Sequence, residues 1–318
     1  MKIFIYGYWS KQLPKDSSQS LLLQLLEKVA GRKVIITNDI ELSDLIIMYP
    51  FLTYQARLRI RALSKLIPKM GLTARVETVF GFPHSNVLAV SYENLDNPSW
   101  SWFGRLILRH NIPRLTSWPR EIDPDGCRFP CWWNGVQHEG FELDEKCYER
   151  YGRILDVRKL LRPLEIGSSS KKDAICVLTK HLTFPRNTQI ERLRKYKKVD
   201  VYMEPDNPWG GSKLSLISKY KYVFCAENSC GYGYETEKLP EVWEAGSIPV
   251  GYIFNPLGDF VNSFNSDVLF GESSPCFTQG LIIEPPNIDV VLLYLAEKLK
   301  LGGKTGSGFL LRKSNGSS

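Results

Sequence analysis

Strand-like and helix-like segments alternate in both halves of the chain, a short polar stretch separates the halves, and each half is long enough for its own core. Together these predict an α/β protein made of two wound sheets of similar size, with a ligand cleft between them. The 318 residues fit about two domains, and a chain of this length can bury about three quarters of its unfolded surface, so disulfides are not needed to hold it together.

Lys2 to Tyr6 reads as a first strand: its apolar run breaks at Gly7 and no small-residue cleavage site follows, unlike a signal peptide. From Ser17 to Ala30 the residues Leu22, Leu25, Leu26 and Val29 recur at i, i+3, i+4 and i+7, and Gly31 stands where a helix C-cap belongs. Lys33 to Thr37, Asp44 to Tyr49 and Asn86 to Tyr92 follow as strands, with a basic helix-like stretch from Tyr54 to Lys69. Asp96 to Gly140, rich in Trp, Pro, His and Gly, reads mostly as loops, with Pro124-Asp125-Gly126 a turn. Arg162 to Lys172 is small and polar, the composition of a linker. A second alternation then begins, with strands Ala174 to Thr179, Val199 to Tyr202, Tyr222 to Ala226 and Ile248 to Ile253, and helices near Thr188 to Tyr196 and Lys238 to Ala245. An amphipathic helix from Ile288 to Leu301 precedes a Gly- and Ser-rich tail.

Composition removes several classes. With 41 Lys and Arg against 34 Asp and Glu the formal charge is +7, and 43% of residues are hydrophobic, an ordinary globular balance. No zinc finger, RNA-recognition signature or heptad zipper accompanies the charge, which argues against nucleic acid as partner. No 18-residue apolar stretch exists to form a membrane-spanning helix. The seven cysteines, with no Cys-x-x-Cys pair, read as mostly reduced thiols.

The segment from Tyr220 to Gly251 concentrates the chemistry. A strand runs into a polar Gly-rich loop that enters a helix near Thr236, an arrangement able to bring backbone N–H groups and a helix's positive end to an anion, with Lys238 adding a full charge. Its Gly-x-Gly lacks the third glycine of a dinucleotide fingerprint. The ordered elements Glu227-Asn228-Ser229, Tyr234-Glu235-Thr236-Glu237-Lys238 and Ala245-Gly246-Ser247-Ile248-Pro249-Val250 closely resemble the signature of the α-1,3/α-1,4-fucosyltransferase family, glycosyltransferase family 10, in its soluble bacterial or viral form. Upstream, Phe184-Pro185-Arg186-Asn187 and the helix after it resemble the family's arginine element, and Tyr92-Glu93-Asn94 resembles the element that carries its proposed base. The pattern departs at Ala226, where an aromatic residue is usual, at Pro240 just inside the helix, and at Leu95-Asp96, where Ser-Pro often stands; the first two put the sugar specificity in doubt.

The resemblance implies a GT-B fold, two Rossmann-like domains facing a central cleft, divided as 1–160 for the acceptor, a linker at 161–172, 173–285 for the GDP-sugar donor, a helix at 286–302 and a flexible tail at 303–318. It implies inverting transfer of L-fucose from GDP-fucose to a hydroxyl of an N-acetylglucosamine-containing oligosaccharide, with no essential metal. Glu93 is then the base, with Asp96 its rival; Arg186 and Lys238 neutralise the diphosphate; Asn228, Tyr234 and Glu237 contact the donor. The same residues are compatible with another GDP-sugar or acceptor, or with a silent glycan-binding relative. The simplest placement is cytoplasmic, with basic stretches available for contact with a membrane face. Asp123-Pro124-Asp125 has the letters of a metal motif but is better explained by its turn. Six of the eight tryptophans lie in the first half, where some could stack on an acceptor sugar, although core packing explains each more simply. His110 and His138 read as polar loop residues.

Overall fold

The computed structural model describes residues 1–8, 14–52, 55, 56, 58, 62, 80, 82, 83, 86–143, 155–166, 170–180, 182–184, 186–203, 212–251, 257–260, 279–299 and 301. The basic stretch from Tyr54 to Lys69 falls largely outside these, as do Trp9, Cys147, Pro185, Cys276 and the tail. The chain forms two compact units, Met1–Phe129 with Asn287–Ser318, and Pro130–Pro286. Among the described residues no helix is long and apolar enough to cross a membrane.

Unit 1 is a parallel sheet in the order β2-β1-β3-β4-β5-β6, from β1 (Lys2–Tyr6), β2 (Ile35–Thr37), β3 (Leu45–Met48), β4 (Val87–Ser91), β5 (Arg114–Thr116) and β6 (Cys127–Arg128). Every residue of β3, β4 and β5 is buried, as central strands of a parallel sheet must be when both faces are covered. Helix α1 (Leu21–Ala30) starts on a Ser20 cap whose Oγ accepts from Leu23 N and stops at Gly31, in the left-handed region at φ 63. It buries Leu21, Leu22, Leu23, Leu25 and Leu26.

The Trp- and Pro-rich stretch is loop and turn over most of its length, as expected, but not throughout. It holds helix α2 (Ser101–Arg109) and the two short strands β5 and β6 that widen the sheet. Helix α2 buries Phe103, Gly104, Leu106 and Ile107, and a Cβ on Gly104 would stand 2.8 Å from the Trp118 ring. Trp118 lies in that core with Trp100 and Trp102 against it, so packing accounts for these three indoles. The Asp123 to Gly126 turn serves burial too. The Asp123 carboxylate meets the Arg114 guanidinium as a fork, Nε to Oδ2 at 2.7 Å and Nη2 to Oδ1 at 2.5 Å, with both side chains almost fully buried.

Unit 2 is a second parallel sheet, β10-β9-β7-β8, from β7 (Lys172–Leu178), β8 (Val199–Tyr202), β9 (Tyr220–Phe224) and β10 (Ile248–Val250). Its described helices are α3 (Val157–Leu160), α4 (Arg186–Leu193), α5 (Lys213–Ile217) and α6 (Lys238–Glu244).

The units do not divide where composition suggests. Residues 130–160, expected with the first half, belong to unit 2: Trp132 and Trp133 both donate Nε1 to Asp259 Oδ2 at 2.9 and 3.0 Å, Val136 bridges to Leu155, and Lys159 Nζ lies 2.9 Å from Glu244 Oε1. The expected linker is bound into the same unit. Arg162 O accepts from Trp243 Nε1, and Lys171 Nζ donates to Ala245 O at 2.8 Å and Ser247 Oγ at 3.0 Å. The last helix, α7 (Ile288–Leu299), returns to unit 1, where it packs on α1 and its Tyr294 Oη accepts from Arg114 N at 2.8 Å.

His138 lies in a loop, as expected, but not at the surface. It is buried, with Nε2 2.8 Å from Trp133 O, and burial holds its pKa below the ordinary imidazole value. The described cysteines, 127, 131, 176, 225 and 230, are free thiols, and burial pushes Cys127 up to about 12.

Candidate active site

In unit 2 the motif leaves the sheet at the end of β9. Cys225 N still bonds Val250 O at 2.9 Å, so the ladder with β10 continues one residue past the strand, and Gly251, at φ 123, passes close to the Phe224 ring. Ala226 is buried beside it. At Glu227 the chain turns into the loop, and this carboxylate closes it. Glu227 Oε1 accepts from Thr236 N at 3.0 Å and from Thr236 Oγ1 at 2.7 Å, while Oε2 receives the Lys238 ammonium. Thr236 Oγ1 also accepts from Lys238 Nζ at 3.0 Å. Residues 227 to 236 are thus drawn into a loop whose two ends are bonded to each other.

Within this loop Asn228 Oδ1 accepts from Arg186 Nη2, and Arg186 Nη1 lies 3.2 Å from Thr179 Oγ1 at the exit of β7. Arg186 opens α4, so β7, α4 and the loop meet at the guanidinium. Burial pulls its pKa below the ordinary value, against the opposing fields of Glu227 and Tyr234. Tyr234 is buried. Glu235 is buried as well: its two oxygens accept from Asp259 N at 2.8 Å and Phe260 N at 3.0 Å, anchoring the loop to a segment distant in sequence.

Helix α6 carries Glu237 as its N-cap and Lys238 as its first residue; Pro240 falls in its first turn, where a missing N–H costs nothing. Just before the helix, the Thr236 amide is taken by Glu227. Burial lowers the Lys238 pKa, but Glu227 and Glu237 outweigh it and hold the ammonium above its ordinary value. Lys213, the first residue of α5, lies 3.6 Å from Glu237 Oε1 and pairs with Glu241 Oε2.

In unit 1 Glu93 follows β4 at the carboxyl edge of the sheet, where ligands bind in open α/β sheets. Its amide donates to Ser91 Oγ at 3.2 Å, and Asn94 Oδ1 accepts from Asp96 N at 3.0 Å, so the turn is knitted by its own side chains. The rival Asp96 already accepts Trp118 Nε1 at 3.3 Å. Neighbouring strand exits bring aromatic rings to this edge: Tyr49 lies 4.6 Å from Tyr8 and 6.2 Å from Tyr92 between centroids.

The predicted donor residues Arg186, Asn228, Tyr234, Glu237 and Lys238 therefore lie in unit 2 and Glu93 in unit 1. Sequence reasoning did not single out Glu227, Glu235 or Lys213. The Glu-Asn-Ser element contained the first, nine residues before Thr236, and the Tyr234 to Lys238 element contained Glu235 without disclosing its partners; nothing local marked Lys213. Among the described residues no group of three or more His, Cys, Asp or Glu side chains is placed to hold a metal ion.

No family model and no curated protein sequence matches the chain. Its fold is that of the GT-B class, on the likeness to a solved structure. A crystal structure of an α1,3-fucosyltransferase with GDP-fucose matches at a TM-score of 0.52 and 14% identity, over 94% of this chain and 90% of that one. Two more crystal structures of α1,3-fucosyltransferase are similar at 16% identity. One, with GDP, has a TM-score of 0.47 over 94% of this chain and 79% of that one. The other has a TM-score of 0.49 over 93% and 77%.

Proposed function

We propose that the chain is a member of the α-1,3/α-1,4-fucosyltransferase family that transfers L-fucose from GDP-fucose, with inversion, to a hydroxyl of an N-acetylglucosamine-containing oligosaccharide. The observation that carries this reading is the ordered motif from Glu227 to Val250 folded around its own ionic core, with Arg186 on Asn228 beside Lys238 on Glu227, on a GT-B scaffold. Two cations so placed suit a diphosphate: the guanidinium offers a planar fork and the ammonium a compact charge.

In the reaction, the acceptor hydroxyl gives its proton to the Glu93 carboxylate as its oxygen bonds the anomeric carbon. The bond from that carbon to the diphosphate oxygen breaks, its electron pair leaves with GDP, and Arg186 and Lys238 stabilise the charge that develops there. These cations take the part a metal ion would play, so transfer proceeds in chelator. Asn228, Tyr234 and Glu237 hold the donor's polar groups. We place the enzyme in the cytoplasm, working on glycans built at a membrane face.

The test is release of GDP from GDP-fucose by purified protein in EDTA, with and without N-acetyllactosamine-type acceptors, alongside Glu93→Gln and Lys238→Ala. Acceptor-dependent release is expected to survive EDTA, and each variant to lose about 10²-fold or more. GDP binding without release would move the reading to another donor sugar or a silent relative, and protein that binds no GDP would remove it.

A further inference from the structure

We propose that Lys213 is a positioning residue of the donor site, holding Glu237 and Glu241 away from Lys238 so that the Lys238 charge stays available to the donor diphosphate. The inference rests on the donor-site reading above and deepens it.

Five ionisable side chains converge beneath the loop: three carboxylates, Glu227, Glu237 and Glu241, and two ammonium groups, Lys213 and Lys238. They come from three places in the fold, the exit of β9, the start of α6 and the start of α5. Glu237 and Glu241 are four residues apart, so they project from one side of α6 and repel each other. Glu237 is also next to Lys238 in sequence and within its field. Left to itself, Glu237 would relieve the repulsion by turning to Lys238, which already pairs with Glu227. A lysine with two carboxylates has little charge left for a phosphate.

Lys213 supplies the alternative. Its ammonium pairs with Glu241 and lies 3.6 Å from Glu237, and the side chain is only 16% exposed. Burial lowers its pKa, but Glu241 and Glu237 together outweigh that and hold it above its ordinary value, so it remains a cation. The Ser212 cap, whose Oγ accepts from Ser215 N at 3.0 Å, fixes the turn from which it projects.

The cluster has a titration that reports on this arrangement. Burial pushes Glu241 up to about 7, with Lys213 opposing and Glu237 adding to the shift. The groups facing it are Lys213 from α5, Glu237 and Lys238 from α6, and the Cys225 thiol at the end of β9, which burial keeps protonated. Removing Lys213 takes away the cation that favours the Glu241 carboxylate, so its proton is held to higher pH.

The experiment titrates GDP into wild type, Lys213→Met, Lys213→Arg and Glu241→Gln from pH 6 to 9, and measures kcat and both KM values at pH 7.5. Lys213→Met is expected to weaken GDP and raise the donor KM by about tenfold, the scale of one hydrogen bond to a charged group, with acceptor KM unchanged. Its pH inflection moves upward, Lys213→Arg recovers most of the affinity, and Glu241→Gln loses the inflection while still folding around Lys213. GDP affinity and donor KM within twofold of wild type in Lys213→Met would overturn the proposal. Should that variant not fold, Lys213→Gln, which keeps a polar group beside Glu241, takes its place under the same twofold limit. Wild type that binds no GDP at all refutes the donor-site reading itself, an outcome separate from both.

Discussion

Replacing Asp123 by Asn tests whether the Asp123-Pro124-Asp125 sequence is structural. The carboxylate is 2% exposed and the Arg114 side chain 3%, and the pair is joined through both carboxylate oxygens. Asn keeps one acceptor but turns its NH2 toward the guanidinium. It cannot swing away, because a Cβ on Gly126 would already stand 2.1 Å from Asp123 Oδ2, a measure of how closely the backbone wraps the group. Breaking a buried pair from one side costs about 3–5 kcal/mol, which for a unit of this size is a fall in melting temperature of about 6–20 °C. Replacing both partners, Arg114→Met with Asp123→Leu, leaves no orphaned charge and is expected to lie within about 2 kcal/mol of wild type. Calorimetry on the three proteins reads both numbers. A single variant that melts within about 2 °C of wild type, or a double variant as unstable as the single, would refute the reasoning. Were Asp123 a metal ligand instead, EDTA alone would lower the wild-type transition by a comparable amount.

Other consequences are open to direct measurement. Arg186→Lys keeps the charge but loses the fork shared between Thr179 and Asn228, and GDP affinity should drop by about 10- to 100-fold in a calorimetric titration. Thr236→Val removes the hydroxyl bonds to Glu227 while sparing the amide; the unit 2 transition should fall by about 1–3 kcal/mol, and GDP should bind more weakly as the loop loosens. Glu235→Gln leaves one of the two amides of Asp259 and Phe260 facing an NH2 group, costing about 1–3 kcal/mol and increasing hydrogen exchange at those amides. Glu241 has its folded pKa raised from 4.5 to about 7, so the native state keeps a proton that the unfolded chain gives up. Stability therefore falls as pH rises through that window, and Glu241→Gln should flatten the slope in urea titrations at pH 5 and pH 8.

What the sequence disclosed depended on how local the signal was. Helix α1 announces itself through its leucine spacing and Gly31, and β7 to β10 through short apolar runs between polar turns. Helix α2 was hidden because its apolar face is built from Phe103, Leu106, Ile107 and a glycine chosen to admit Trp118, in a stretch whose tryptophans and prolines suggest loop. Strands β5 and β6 have three and two residues, too few to express a period. The Gly-Ser run near residue 168 suggested a linker, yet the flanking Arg162 and Lys171 are bonded to the far end of α6. In the site, the cations and the loop were legible as a motif. Glu235 was not, since its partners are backbone amides 24 and 25 residues further on. Lys213 was hidden in a five-residue helix whose importance comes only from what it faces.

The return of α7 to unit 1 also sets an order for biosynthesis. Residues 130–286 form a complete unit by themselves, whereas unit 1 has its two pieces on either side of them. A ribosome making this chain finishes the sheet of unit 1 first but withholds the helix that covers α1 and ties down Arg114 through Tyr294 until the rest has emerged. Nascent chains usually fold from the N-terminus. Here the later unit is completed first, and the earlier one waits with part of its apolar surface uncovered, the stage at which a chaperone has something to hold.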